Sequence, residues 1–170
     1  MAATEEISES LIRDNILHAL TEVFGTMLHA PIKPCEAALV WPPAAKSAAD
    51  EPWVVGTVGF VGDINGLIYL YFDPLLATAC TGHMLGMTAP EVAEAGQEVV
   101  NDAIGELTNM VVGGFKNRLC DVGLPCKLTV PSILRGHDFR IEAAGHTRRH
   151  VVVVECSGRR IIADILMNAE

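Results

Sequence analysis

Apolar residues at Ile12, Ile16, Leu20, Val23 and Met27 recur every three to four positions, which lines one face of a helix and predicts one from Ile7 to about Ala30, with Ser8 or Ser10 to cap its start. Residues 32–41, β-branched and small, predict a strand that ends at Trp41-Pro42-Pro43. The Pro-, Ala- and Ser-rich stretch 42–52 predicts a mobile loop. From Trp53 to Phe72, two alternating runs flank glycine-rich punctuation between Gly62 and Gly66, the pattern of a β-hairpin. Asp73-Pro74 opens a short helix to about Leu85, stopped at Gly86. Thr88-Ala-Pro-Glu91 then has the spacing of a capping box, and the stripe Val100, Ile104, Leu107, Val111 and Phe115 carries the long helix it starts to about Leu119. Four extended runs follow, 127–134, 139–144, 150–156 and 160–167, separated by Gly-, Asp- and Ser-containing turn segments.

Short separators of this kind join antiparallel neighbours. An order of helix, strands, two helices, strands therefore predicts an α+β fold, an antiparallel sheet with helices packed on one face. A helix followed by a meander occurs at 7–73 and again at 92–168, which suggests an internal pseudo-twofold duplication. With 170 residues, 50% of them hydrophobic, the chain can enclose one core, so 1–170 reads as a single domain. No apolar run approaches the roughly 18 residues of a membrane span, which argues against membrane insertion. The acidic amino terminus lacks the features of a secretory leader, and the expected compartment is the cytoplasm. Five cysteines without a C-x-x-C pair read as free thiols. A formal net charge of −9 repels phosphate backbones and argues against nucleic acid as a partner.

Few residues suggest chemistry. Glycines 56, 59, 62 and 66 precede no helix start and no Lys-Ser/Thr pair, so they read as strand and turn glycines and not as a phosphate loop. His18, Glu22 and His29 share a side of the first helix without a supporting ligand cluster. His146 and His150 flank Arg148 and Arg149, whose charge disfavours a cation, so no metal site of the chain's own is expected. Ser132 and the cysteines have no histidine-base motif. The informative segment is the long helix. At about 100° per residue, Asp102, Glu106, Asn109, Gly113 and Lys116 form one polar ridge opposite the apolar stripe. A solvated helix face explains such a ridge by spacing alone. Asparagine in mid-helix and the Gly113-Gly114 pair, at about 1 kcal/mol per glycine relative to alanine, are costs that close approach of another protein's backbone accounts for.

The run Asp102-Ala-Ile-Gly-Glu106-Leu-Thr-Asn109 resembles the D/S-x-x-x-E-x-x-N signature of the CheC/CheX/FliY phosphatases of bacterial chemotaxis, with Pro131 near the place of their downstream proline. Residues 56–66 look like that family's hairpin, and 21–28 like its first helix, so the resemblance spans almost the whole chain. It implies hydrolysis of the phospho-aspartate of a CheY-like response regulator. Glu106 and Asn109 are then the catalytic pair, and Asp102, Gly113 and Lys116 the partner-binding residues. It also implies no cofactor beyond the Mg²⁺ that the regulator carries. Where two-site members have a second E-x-x-N, this chain has Glu22-Val-Phe-Gly25, and glycine cannot orient water, so one active centre is expected, as in CheX. A non-catalytic module that binds a regulator or flagellar-switch component is the alternative. A homodimer is also expected, through Val151–Val154 if that strand were left as an open edge.

Overall fold

The computed structural model describes residues 7–35, 52–137 and 139–168. Helix α1 spans Glu9–Met27, and it is Ser8 that caps it, its hydroxyl accepting from Leu11 N at 3.2 Å. Strand β1 is Lys33–Cys35. The rest of the predicted 32–41 strand, and the loop expected up to residue 51, lie outside the described residues. The hairpin forms as β2, Trp53–Gly62, and β3, Gly66–Phe72. Helix α2, Pro74–Leu85, starts where the Asp73 carboxylate accepts from Leu75 N and Leu76 N, and it stops at Gly86.

The expected long helix is two helices. Helix α3, Ala89–Ala95, has the predicted capping box: Glu91 N donates to Thr88 Oγ1 at 3.4 Å, and Thr88 N to Glu91 Oε2 at 2.7 Å. The hydrogen bond from the Thr88 backbone holds the Glu91 carboxyl below its ordinary value. Gly96 then takes φ 92, outside the helical region and open mainly to glycine, and the chain turns into α4, Gln97–Asp121.

The run predicted at 127–134 is likewise divided, into β4, Cys126–Leu128, and β5, Ser132–Gly136. The last two runs are β6, Thr147–Cys156, and β7, Arg159–Asn168. Segment 139–144 is not a strand, contrary to its alternation. Phe139 and Ile141 instead pack on the face of the sheet away from the helices, against Trp53, Val55, Tyr71, Val153 and Ile162. All the helices lie on the other face, over a core that includes Phe24, Phe60, Phe72, Leu107 and Phe115.

The sheet order among the described residues is β1-β6-β7-β3-β2-β4, with β5 also on β2, and all pairings are antiparallel. The order is symmetric about the β3–β7 pair, where Gly66 faces Met167 and Phe72 faces Ile161. Each half's helix and strands have a counterpart in the other: α1 with α4, β1 with β4 and β5, β2 with β6, β3 with β7. This is the duplication anticipated from the repeated helix and meander. One consequence is a correction. Strand β6 is not the edge of the sheet, because β7 runs along one side of it and β1 pairs with Val153 and Val154 on the other. At Val153 and Val154 the backbone is thereby taken by β1 and closed to a second chain. The five thiols are free, and burial pushes that of Cys80 up to about 12.

On the face away from the helices, Asp164 is fully buried and held by Arg149, Nη2 to Oδ2 at 2.6 Å and Nε to Oδ1 at 2.9 Å, while Arg149 Nη1 donates to Ile141 O. The pair thus ties the covering segment to the sheet. Burial raises the Asp164 carboxyl above its ordinary 3.8, and the hydrogen bond and charge of Arg149 oppose that rise. Replacing Arg149 with Met strands a buried carboxylate and is expected to lower stability by about 3–5 kcal/mol at neutral pH. The sign follows from the raised value: the folded state favours the neutral acid, so stability is retained at low pH and lost as pH rises through the folded-state pKa. Urea unfolding of Arg149→Met should therefore show its largest deficit near pH 7 and a smaller one toward pH 4.

Candidate active site

Helix α4 is one continuous helix of 25 residues that carries the whole predicted ridge. Val100, Ala103, Ile104, Leu107, Val111, Val112, Phe115 and Leu119 bury one side of it and fix its roll against the sheet and α1. On the opposite side Asp102 and Glu106 are exposed, and Asn109, Gly113 and Lys116 are half-buried. Glu106 and Asn109 are three residues apart, which puts their Cβ atoms about 5–6 Å from each other on one face. Among the described residues, neither side chain makes a hydrogen bond or ion pair. Both are therefore available to a partner, at the cost of little but their own rotamer freedom.

The depth of this face is set from beneath. Thr108, between the two, is fully buried, and its hydroxyl donates to Ile104 O at 2.7 Å. Directly below it lies Gly56 of β2, where a Cβ would come within 1.9 Å of Thr108 Oγ1. The glycine lets the helix settle onto the strand, so the ridge rides at the height that this contact allows. Gly114 is also a packing residue: a Cβ there would sit 3.3 Å from Ala19 Cβ on α1. Its helical cost thus has an internal reason, whereas Gly113 faces open space and keeps the reading of a smooth surface for a partner.

The flank of α4 is pinned by the edge strand. Arg135 Nε donates to Asn101 Oδ1 at 2.9 Å, and Ile133 Cδ1 lies 4.0 Å from where Gly105 would carry a Cβ. Asn101 and Arg135 were missed at the sequence level, since a bond between residues 34 positions apart leaves no periodic signal. At the N-terminal end of α4, a cavity of about 370 Å³ is lined by Pro74, Thr78, Val92, Gln97, Val100 and Arg135, to the side of the ridge and not under it.

The other candidates do not assemble into a site. His18 Nε2 lies 3.7 Å from Glu22 Oε2 on the surface, while His29 stacks edge-to-face with His83, ring centroids 5.8 Å apart. Among the described residues no group of three or more His, Cys, Asp or Glu could hold a metal ion, and no helix is long and apolar enough to cross a membrane. Gly25 is exposed on α1, and it has open space around it.

An antiparallel sheet with the helices on one face is the fold of CheC-like proteins: the CheC-like superfamily protein from Shewanella superposes with a TM-score of 0.76 at 26% identity, over 94% of this chain and 98% of that one. Residues 54–155 match the family described as chemotaxis phosphatase CheX, and the chain belongs to that family. The CheY-P phosphatase CheX of Thermotoga maritima is 30% identical over 93 residues, 54% of this chain and 57% of that protein. The chain thus aligns with little more than half the length of this curated relative. A crystal structure of the chemotaxis protein CheX from Vibrio vulnificus superposes with a TM-score of 0.76 at 25% identity, covering 95% of this chain and 99% of that one. The CheX-CheY-BeF3-Mg complex from Borrelia burgdorferi superposes at 0.68 and 21% identity, over 92% and 97% of the two chains, a likeness of fold.

Proposed function

We propose that this chain hydrolyses the phospho-aspartate of a CheY-like receiver domain, with Glu106 and Asn109 as its single catalytic pair. The observation that carries this reading is their placement one turn apart on a continuous helix, Glu106 exposed and Asn109 half-buried, with no partner for either among the described residues.

The reaction asks little covalent work of the protein. An acyl phosphate has a good leaving group, and the receiver brings the Mg²⁺ that neutralises charge on the phosphoryl oxygens. What is missing is an aligned water. The Asn109 carboxamide both donates and accepts, so it holds a water in line with phosphorus without adding negative charge beside the phosphoryl group. The water oxygen bonds to phosphorus, the bond from phosphorus to the aspartate oxygen breaks, and the receiver's carboxylate and inorganic phosphate leave, with the water's proton passing to phosphate or solvent. Glu106 pairs with a cation beside the phosphorylation site and sets how far the helix enters. Asp102, Gly113 and Lys116 extend the contact along the ridge, and none of them takes a chemical step. The net charge of −9 suits a basic rim on the partner better than a phosphate-rich one.

The test is the decay of phosphorylated receiver domains in Mg²⁺, with and without the protein. Acceleration of at least one receiver is expected. Binding to a receiver with decay no faster than the spontaneous rate would reject the enzyme and leave a binding module.

A further inference from the structure

Strand β5 and the segment before it run beside α4, and their geometry marks a residue outside the signature. The register on β2 pairs Phe60 with Leu128 and Thr57 with Ser132. Between these, Gly59 and Thr129 exchange two bonds, Thr129 N to Gly59 O and Gly59 N to Thr129 Oγ1, both 2.8 Å. That leaves Val58 opposite two residues, Val130 and Pro131, so the edge is bulged there, and Pro131 has no N–H to offer a further strand. The bulge throws Val130 outward. It is 84% exposed, the most exposed large apolar side chain among the described residues.

Its place along the helix follows from two anchors. Arg135 is bonded to Asn101, and Ile133 faces Gly105. Two strand residues, about 6.6 Å, therefore run alongside four helical residues, about 6 Å, in opposite directions. One more step of the same size brings residue 131 abreast of Asn109. Asn109 also lies on the side of the ridge nearest this strand, since it is one turn beyond Gly105. Val130, the residue before Pro131 in the bulge, is thereby brought to the stretch of edge that runs alongside Asn109.

We propose that Val130 is a positioning residue that packs on an apolar rim of the receiver's phosphorylation pocket as α4 docks, giving the complex an apolar anchor next to its polar contacts. This rests on the function proposed above. A single exposed valine needs no explanation on its own. Here, the bulge holds one at the point where the helix face must be sealed against a partner, and burying an apolar group is worth most there.

The experiment compares the parent with Val130→Ser, Val130→Asp and Val130→Ile. It measures kcat and KM on a phosphorylated receiver in Mg²⁺, and in parallel Kd for the same receiver loaded with beryllofluoride. Val130→Ser is expected to raise KM and Kd by about tenfold, the loss of roughly one buried valine. Val130→Asp should raise them further, and Val130→Ile should match the parent. Because the side chain is in solvent, melting temperatures should be unchanged. Parent values of Kd for both Val130→Ser and Val130→Asp would overturn the anchor while leaving the phosphatase reading intact. If the parent binds the loaded receiver but does not hasten decay, the phosphatase reading fails, and Kd still decides the anchor. A parent that binds none of the receivers removes both.

Discussion

Asn109→Ala is expected to lower kcat on a phosphorylated receiver by at least about a hundredfold while leaving Kd for the beryllofluoride-loaded receiver within about threefold. The split follows from what the amide does. Catalysis here is positioning, and misplacing one reacting group by about an ångström already costs on the order of 10²-fold in rate. Asn109 is half-buried at the side of the ridge, so truncation leaves the helix, its roll and Glu106 where they are. Asn109→Asp separates orientation from charge, since the side chain keeps its shape and loses its donors. It should be at least as slow as alanine, because a carboxylate repels the phosphoryl oxygens as well as failing to donate. Glu106→Gln should show the opposite split, with Kd weakened and kcat changed less. Equal turnover by the parent and Asn109→Ala would remove the amide from the mechanism and, with it, the reason to read this surface as catalytic.

The ridge was legible because helical periodicity is local. Once Val100, Ile104, Leu107 and Val111 fix the buried side, Glu106 and Asn109 have nowhere to point but outward. The hairpin, the caps at Ser8, Asp73 and Thr88, and the stop at Gly86 were legible for the same reason, each decided within four residues. Features that depend on what a segment packs against were less legible. The alternation of 139–144 was real, but its apolar side chains cover the second face of the sheet, and nothing in the segment distinguishes that from strand pairing. The break at Gly96 was missed because a glycine between two helical stretches reads as a tolerated defect until its φ is known. Val151–Val154 looked adhesive because β1, which pairs on the side away from β7, is distant in sequence. The same limit hid the Arg135–Asn101 bond and the closeness of Thr108 to Gly56, both made across the layers of the fold.

That last contact gives the second large expected effect, since it joins stability to function at a residue no active-site signature contains. A methyl group on Gly56 would lie 1.9 Å from Thr108 Oγ1 and 2.8 Å from its Cβ, so the helix must lift or β2 must yield. Neither is easy. Gly56 is in the middle of β2, paired with Leu70 on one side and Ile133 on the other, and Thr108 is fully buried on a helix packed against the same core. Gly56→Ala is therefore expected to cost about 1–3 kcal/mol in urea unfolding, the usual range for overpacking. Where the protein still folds, turnover should fall about tenfold or more as the ridge is pushed outward. Thr108→Ala removes the closest clashing atom and a hydroxyl bonded only within its own helix, so alone it should be the milder change. In the double variant the two should be coupled, with Thr108→Ala recovering part of both the stability and the rate lost to Gly56→Ala, because the remaining 2.8 Å approach needs a smaller shift. Simple additivity in stability would mean that the strand and helix do not meet at this pair. Recovery of stability without recovery of rate would mean that the height of α4 over the sheet does not govern how Glu106 and Asn109 reach a partner.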